Sequence, residues 1–181
     1  FFKKNNIEKK FEKNKLGGAA DLELIYNICN HINPKIIIET GVAYGWSSSV
    51  ILNYIYSNSS SGTLISFDMP YPLCADTSYV GSVVCDKFKN NWTLIKKIDS
   101  IAIKKILKKM GNIDLFHYDS DKSYEGMFKM FNIVYPYIKS DGYLIVDDIN
   151  DNMAFHDFTK IKSINSTIIK LNNKFIGIIK K

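Results

Sequence analysis

The chain has 181 residues and a formal net charge of +6, and lysine alone carries the positive charge because the sequence contains no arginine. A chain of this length normally folds as one domain and buries roughly 70% of its unfolded surface, so we predict a single domain over residues 1–181. The lack of arginine disfavours a nucleic-acid-binding protein, since bidentate recognition of bases and phosphates depends on the guanidinium group.

Three cysteines, Cys29, Cys74 and Cys85, form no CxxC pair, so neither a disulfide framework nor a zinc site is favoured and a cytoplasmic location is expected. No apolar run approaches the roughly 18 residues of a membrane-spanning helix, and no signal-peptide pattern is present. Residues 1–15 alternate lysine with phenylalanine and isoleucine, which predicts an N-terminal helix or extension. This segment is interpreted as a solvated helix, with a cover over the site or a homo-oligomer contact as alternatives.

Segments typical of strands and helices alternate along the chain, as judged from β-branched runs and from apolar side chains at helical spacing. The predicted strands are 35–39, 63–68, 92–98, 113–119, 142–148, 166–171 and 174–181, and the predicted helices are 47–57, 100–110, 124–138 and 153–162. Such alternation builds βαβ units with right-handed crossovers. We therefore predict an α/β, Rossmann-like, doubly wound fold whose sheet is mostly parallel and ends in a C-terminal antiparallel hairpin.

Acidic residues follow or end four of the predicted strands, at Glu39, Asp68, Asp119 and the pair Asp147–Asp148. In parallel sheets, ligands bind outside the carboxyl ends of the strands, where the strand order reverses. A single acid at a strand end is usually a helix cap or a turn residue. Five acids on one edge of the sheet instead indicate a functional site.

The first predicted strand leads into the turn ETGVAYGWSSS, in which Gly41 and Gly45 frame a GxxxG loop before a helix. Glycine permits close approach of the backbone to a ligand, and the helix N-terminus offers unpaired N–H groups. Asp68, at the end of the second strand, stands where an acid accepts both hydroxyls of a ribose. The loop lacks the third glycine of a dinucleotide site, so a nucleoside without a pyrophosphate is predicted.

Four motifs, ETGVAYGWS, FD, DSDKSYEG and DGYLIVDDI, together resemble the class I S-adenosylmethionine (SAM) dependent methyltransferases. The resemblance covers residues 16–150 and is closest to metal-dependent small-molecule O-methyltransferases of the macrocin type, and more distant to catechol O-methyltransferase. It implies that SAM lies over the glycine loop, with its ribose on the acid after the second strand. The implied donor contacts are Glu39, Gly41, Gly45, Ser47, Asp68, Asp99, Ser100 and Asp119.

Asp119 and the pair Asp147–Asp148 are separated by one helix and one strand, so adjacent strands would bring three carboxylates together. Unpaired carboxylates in one place raise each other's pKa, and a bound cation removes that cost. Oxygen ligands suit a divalent cation such as Mg²⁺. The resemblance implies the same three residues as metal ligands. The alternative is that Asp147 and Asp148 cap the next segment while Asp119 pairs with a lysine.

A hydroxyl bound to such a cation loses its proton readily, and its oxyanion attacks the sulfonium methyl in line. Asp121 and Lys122 are the two candidates for the base. Lys122 stands three residues after the first predicted ligand, as the catalytic lysine does in the catechol enzyme. Asp121 matches the base proposed for sugar-modifying relatives. Macrocin-type relatives have histidine at the position of Lys122 and glycine at that of Ser120, so the assignment stays open.

We therefore predict a SAM-dependent methyltransferase that acts on a hydroxyl group of a small acceptor such as a sugar or a secondary metabolite. Residues 70–92 exceed the length of a bare helix between strands and are the predicted substrate-recognition segment. His117 is expected to be a core or edge histidine rather than a ligand. Two alternatives stay open, a nucleic-acid methyltransferase with salt-sensitive binding and a nucleoside-binding domain without catalysis.

Overall fold

The computed structural model describes residues 19–58, 61–69, 77–171 and 173–181. In these residues seven strands form one sheet: β1 Ile36–Thr40, β2 Thr63–Phe67, β3 Trp92–Ile95, β4 Ile113–Tyr118, β5 Ile138–Val146, β6 Ser166–Leu171 and β7 Lys174–Lys180. Their order is β3-β2-β1-β4-β5-β7-β6. The predicted segments 1–15 and 70–76 lie outside the described residues.

Strands β3, β2, β1, β4 and β5 pair in parallel, whereas β7 pairs antiparallel with both β5 and β6. The structure therefore confirms the predicted Rossmann-like sheet and its C-terminal hairpin. The chain winds outward from β1 through β2 to β3 and then returns to place β4 on the other side of β1. The strand order thus reverses between β1 and β4, which is where a ligand is expected to bind.

Five α-helices accompany the described part of the sheet: α1 Leu22–Ile32, α2 Trp46–Ser57, α3 Asp99–Met110, α4 Tyr124–Val134 and α5 Ala154–Lys162. Short 3₁₀ helices span Asp86–Asn91 and Tyr135–Tyr137. Helix α1 was not among the predicted helices. Its start carries a recognisable signal, because the Asp21 side chain caps the helix by accepting a hydrogen bond from the Leu24 amide at 3.0 Å.

The core lies on both faces of the sheet because successive strand residues point to opposite sides. Ile37 packs with the cluster beneath α1 and α2, whereas its neighbour Ile38 packs with the cluster beneath α3, α4 and α5. The same alternation separates Leu115 from Phe116 in β4. The fold is therefore a three-layer sandwich. None of the helices in the described residues has the length and apolar character needed to cross a membrane.

Several predicted boundaries differ from those in the structure. The predicted helix 124–138 ends at Val134, since Pro136 lacks the backbone N–H needed to continue an α-helix. Strand β5 begins at Ile138, four residues before the predicted start, because Ile138 pairs with Ile113 ahead of a register shift. Strand β3 ends at Ile95, three residues before the predicted end.

Candidate active site

Four neighbouring strands end together at the edge where the strand order reverses. Their last residues lie in one register row: Phe67, Thr40, Tyr118 and Val146. The residues that follow them are therefore adjacent: Asp68, Gly41, Asp119 and Asp147. The acids after β2, β4 and β5 meet at this edge as predicted, whereas Glu39 lies inside β1, one residue before its end.

A cavity of about 760 Å³ opens at this edge. The predicted site residues that line it are Gly41, Ser47, Asp68, Asp99, Ser100, Asp119, Asp121, Lys122 and Asp148. Three predicted site residues, Glu39, Gly45 and Asp147, do not line it. Nine of the twelve predicted site residues therefore line the described cavity.

The glycine loop bends sharply between β1 and α2. Gly41 has φ +80°, Ala43 has φ +46° and Gly45 has φ +89°. A Cβ atom on Gly41 would lie 1.9 Å from the backbone oxygen of Asp119, so the loop backbone packs directly on the end of β4. Only glycine combines this backbone conformation with such a close approach.

We expect Gly41→Ala to lower the free energy of unfolding by about 1–3 kcal/mol more than Gly111→Ala does. Both residues have positive φ, at +80° and +72°, so both alanines are strained. A Cβ on Gly111, however, meets nothing within 4 Å. Urea unfolding followed by circular dichroism measures the difference. Equal losses for the two variants would show that the contact between Gly41 and β4 is unimportant.

Asp68 fixes the conformation of the loop. Its Oδ2 atom accepts hydrogen bonds from the backbone amides of Val42 and Ala43, each at 2.8 Å. Burial raises the pKa of Asp68, and the two amide donors oppose that rise. The residue predicted to bind a ribose therefore also positions the loop, a role that spacing in the sequence did not indicate.

Glu39 is fully buried beneath the loop. Its carboxylate accepts hydrogen bonds from the hydroxyl groups of Ser47 and Ser48, in the first turn of α2, and from that of Ser66 in β2. These contacts hold the start of α2 against the sheet. The structure thus places Glu39 behind the loop, below the wall of the cavity.

His117 lies between two buried carboxylates. Its Nδ1 atom is 3.5 Å from Glu39 Oε1, and its Nε2 atom is 3.8 Å from Asp147 Oδ2. Burial would lower the pKa of His117, but Asp147 and Glu39 outweigh it and raise the pKa to about 10. The two carboxylates thus favour the protonated form of the ring, although neither ring nitrogen makes a hydrogen bond to the described residues. As predicted, His117 is a core histidine, but one with a charged environment.

These contacts belong to a polar row that crosses the sheet just below the cavity. The row consists of Trp92, Ser66, Glu39, His117 and Asp147, which come from β3, β2, β1, β4 and the end of β5. The Trp92 indole donates to Ser66 Oγ at 2.9 Å, and Ser66 in turn donates to Glu39 at 2.8 Å. The row connects Glu39, which holds the end of the glycine loop, with Asp147 after β5.

Asp119, Asp147 and Asp148 form an acid cluster on the other side of the cavity, and Lys122 lies within it. Its Nζ atom is 2.7 Å from Asp119 Oδ1, 3.4 Å from Asp148 Oδ2 and 3.1 Å from the backbone oxygen of Asp147. Asp148 also binds the Lys174 ammonium, at 2.9 Å from its Oδ1 atom. No sequence motif indicated the involvement of Lys174, which lies on β7, 26 residues after Asp148 in the chain.

The predicted metal site requires Asp119, Asp147 and Asp148 to direct their oxygens towards one point. Over the described ranges, no three or more acid, histidine or cysteine side chains are grouped in this way. The Asp147 carboxylate faces His117, while Asp119 and Asp148 bind Lys122. The ligand types suit Mg²⁺, but the arrangement does not fit it, because the Lys122 ammonium lies where these carboxylates would share a cation.

The two candidate bases have different surroundings. Asp121 is exposed, and its Oδ1 atom accepts a hydrogen bond from the Ser123 amide at 2.9 Å, next to the first turn of α4. Lys122 is engaged with the acid cluster. Burial raises the pKa of Asp119 to about 6, although the neighbouring Lys122 opposes the rise. The two candidates therefore differ in accessibility and in their contacts with the neighbouring acids.

At the far end of the cavity, Asp99 joins the start of α3 to the end of β4. Its Oδ2 atom accepts a hydrogen bond from Ser120 Oγ at 2.6 Å, and its Oδ1 atom accepts from the Ser100 amide. Met69 and Ile98 line the same cavity and are 51% and 44% exposed. Two exposed apolar side chains beside polar groups suit a flat heterocycle with polar edges.

The structure describes residues 77–92 of the predicted substrate-recognition segment, and residues 77–84 among them lie on the glycine loop. The Gly81 amide donates to the backbone oxygen of Ala43 at 2.9 Å, and the Val83 amide donates to that of Tyr44 at 3.1 Å. Tyr79 is buried in the same contact and lines the cavity. This part of the segment therefore covers the loop, an arrangement that composition alone did not predict.

A family model described as a methyltransferase domain matches residues 38–149, which include the glycine loop, the acid cluster and Lys122. The chain belongs to this methyltransferase-domain family. No curated protein sequence matches this methyltransferase.

Solved structures of other methyltransferases share the fold. An O-methyltransferase from Bacillus cereus, in complex with S-adenosylhomocysteine (SAH), is 10% identical with a TM-score of 0.75, covering 98% of this chain and 90% of its own. An SAH-bound methyltransferase from Podospora anserina is 12% identical with a TM-score of 0.71. The match covers 98% of this chain and 85% of the Podospora chain. The O-methyltransferase involved in tomaymycin synthesis in Streptomyces achromogenes, in complex with SAM, is 14% identical with a TM-score of 0.75, covering 97% and 86%.

Proposed function

We propose that this methyltransferase transfers the methyl group of SAM to a hydroxyl oxygen of a small acceptor. One observation carries the proposal: a single cavity contains the glycine loop with Asp68 and also the acid cluster with Lys122. The contact between Gly41 and the backbone of Asp119 keeps these two parts side by side. Neighbours of the same fold that were solved with SAM or SAH, and are called O-methyltransferases, support the choice of donor and acceptor atom.

The donor half of the site has a group for each part of SAM. The Asp68 carboxylate, which already accepts hydrogen bonds from two loop amides, is positioned to accept further hydrogen bonds from the ribose hydroxyls. Asp99 and Ser100 provide polar groups for the adenine edge, and Met69 and Ile98 provide apolar contact for its faces. The amino-acid moiety is assigned to the loop at the start of α2, because the positive end of the helix dipole favours a carboxylate.

In the acceptor half, a hydroxyl group near Lys122 attacks the methyl carbon of SAM. The new C–O bond forms as the C–S bond breaks, its electron pair stays on sulfur, and SAH leaves. The hydroxyl proton passes to a carboxylate, for which Asp121 is the proposed base because it lines the cavity and is accessible. No step in this scheme uses the predicted divalent cation, since the described carboxylates do not fit it.

The test combines calorimetric titration of SAH with methyl transfer from radiolabelled SAM to panels of catechols, sugars and other small alcohols. We expect one SAH per chain, bound with micromolar affinity, and label in an ether product of a small acceptor. SAH binding without transfer to any acceptor would favour the nucleoside-binding alternative. Label in RNA or DNA would favour the nucleic-acid alternative. If SAH does not bind, the proposed donor is wrong.

A further inference from the structure

We propose that the Lys122 ammonium takes the place of a divalent cation in the acid cluster, and that methyl transfer is independent of metal. The inference deepens the proposed function by assigning the charge that stabilises the acceptor oxygen. It rests first on position: Lys122 Nζ contacts Asp119 Oδ1 at 2.7 Å, Asp148 Oδ2 at 3.4 Å and the backbone oxygen of Asp147 at 3.1 Å. One ammonium thus touches all three residues that would otherwise share a metal ion.

The remaining charges in the cluster have their own partners. Asp148 binds the Lys174 ammonium at 2.9 Å through its second oxygen. The Asp147 side chain is only 6% exposed and faces the His117 ring below the cavity. Mutual repulsion among carboxylates is what makes a cluster of acids bind cations. Here that repulsion is already relieved by side chains, so a dication would have to displace Lys122.

The position of Lys122 also suits the chemistry. Its side chain is 27% exposed and lines the cavity, so an N–H of the ammonium can donate to an acceptor oxygen. That hydrogen bond stabilises the negative charge that develops as the hydroxyl proton moves to a carboxylate. Because a metal-independent transfer needs no second acceptor oxygen for chelation, the expected acceptors are alcohols or phenols with a single reacting hydroxyl.

Manganese binding tests the inference without any acceptor. Metal-free protein, with and without SAH, is titrated with Mn²⁺ and followed by calorimetry and by the electron paramagnetic resonance of free Mn²⁺. We expect no saturable uptake below about 1 mM by the natural chain. Lys122→Met and Lys122→Ala should each gain a site that binds at least about tenfold more tightly, because the acids lose their cation. Lys129→Ala, which removes another lysine that lines the cavity, is the matched control and should gain no site.

Saturable uptake by the natural chain that Asp148→Asn abolishes would overturn the inference. Failure of both Lys122 variants to gain a site would overturn it too, because the acids would then not be a latent cation site. SAH titration of each variant shows that the fold and donor site are intact. If the natural chain does not bind SAH, the proposed function is contradicted. The Mn²⁺ result, in contrast, tests only the acid cluster.

Discussion

His117→Leu is expected to lower the free energy of unfolding by about 3–5 kcal/mol, one of the largest effects of any single substitution in the chain. The ring lies between Glu39 and Asp147, and all three side chains are buried. Leucine fills similar space but leaves two carboxylates in the core without their shared cation. Urea unfolding at pH 7, followed by circular dichroism, measures the loss.

His156→Leu is the matched control for this prediction. The His156 ring also pairs with an acid, Asp157 at 3.0 Å, but both side chains are more than a third exposed. Solvent screens such a pair, so we expect a far smaller change in stability. If both leucine variants lost the same stability, the buried ion pairs in the polar row would not be responsible for the effect at His117.

The pH dependence of stability provides a second measurement of the same interaction. The pKa of His117 rises from its ordinary value of 6.5 to about 10 in the folded protein. A raised pKa means that the folded state holds the proton more tightly, so this contribution is complete below pH 6.5 and is lost as the pH rises through 10. The natural chain should therefore lose more stability than His117→Gln between pH 6.5 and 10. Parallel curves would contradict the assignment of an imidazolium.

Asp68→Ala is expected to weaken SAH binding by about 100-fold or more. Hydrogen bonds to a charged group contribute about 1.5–3 kcal/mol each, and alanine removes both the bonds to Val42 and Ala43 and those predicted to the ribose. Asp68→Asn keeps one carbonyl oxygen as an acceptor and should cause an intermediate loss. Calorimetric titration of SAH measures all three proteins.

Asp86→Ala is the control for Asp68. Asp86 is an exposed acid that pairs with Lys89 at 2.6 Å in the 3₁₀ helix and does not line the cavity. Its replacement should leave SAH affinity unchanged. Full SAH affinity in Asp68→Ala would rule out both the ribose contact and the idea that a preformed loop is needed for binding.

The sequence predicted the features that depend on local pattern. Alternating strands and helices, together with acids at strand ends, were sufficient to predict the sheet and to bring Asp68 and Asp119 to one edge. Helix α1 was missed because it precedes the first strand and so belongs to no βαβ unit, although Asp21 marks its start. Strand β5 begins earlier than predicted because pairing with β4, rather than local composition, determines where it starts.

The sequence could not predict how charged side chains choose their partners. Glu39 and His117 lie opposite each other on the adjacent strands β1 and β4, but only the assembled sheet shows that their side chains approach. Asp119, Asp147 and Asp148 were recognised as a cluster, yet whether a metal ion or a lysine balances it depends on side-chain conformation. Lys174 reaches Asp148 from the terminal hairpin, and no motif connects the two residues.

The contact between Gly41 and the backbone of Asp119 has a consequence for changes in specificity. Main-chain atoms of Gly41 and Asp119, directly after β1 and β4, determine how far the glycine loop lies from the acid cluster, and the space between them does not admit a Cβ atom on Gly41. Substitutions in α4, which lines the cavity, are therefore expected to reshape the proposed acceptor pocket without altering the distance between the glycine loop and the acid cluster. Directed evolution of α4 alone is therefore a route to new acceptors in which the backbone contact between the two halves of the proposed site is preserved.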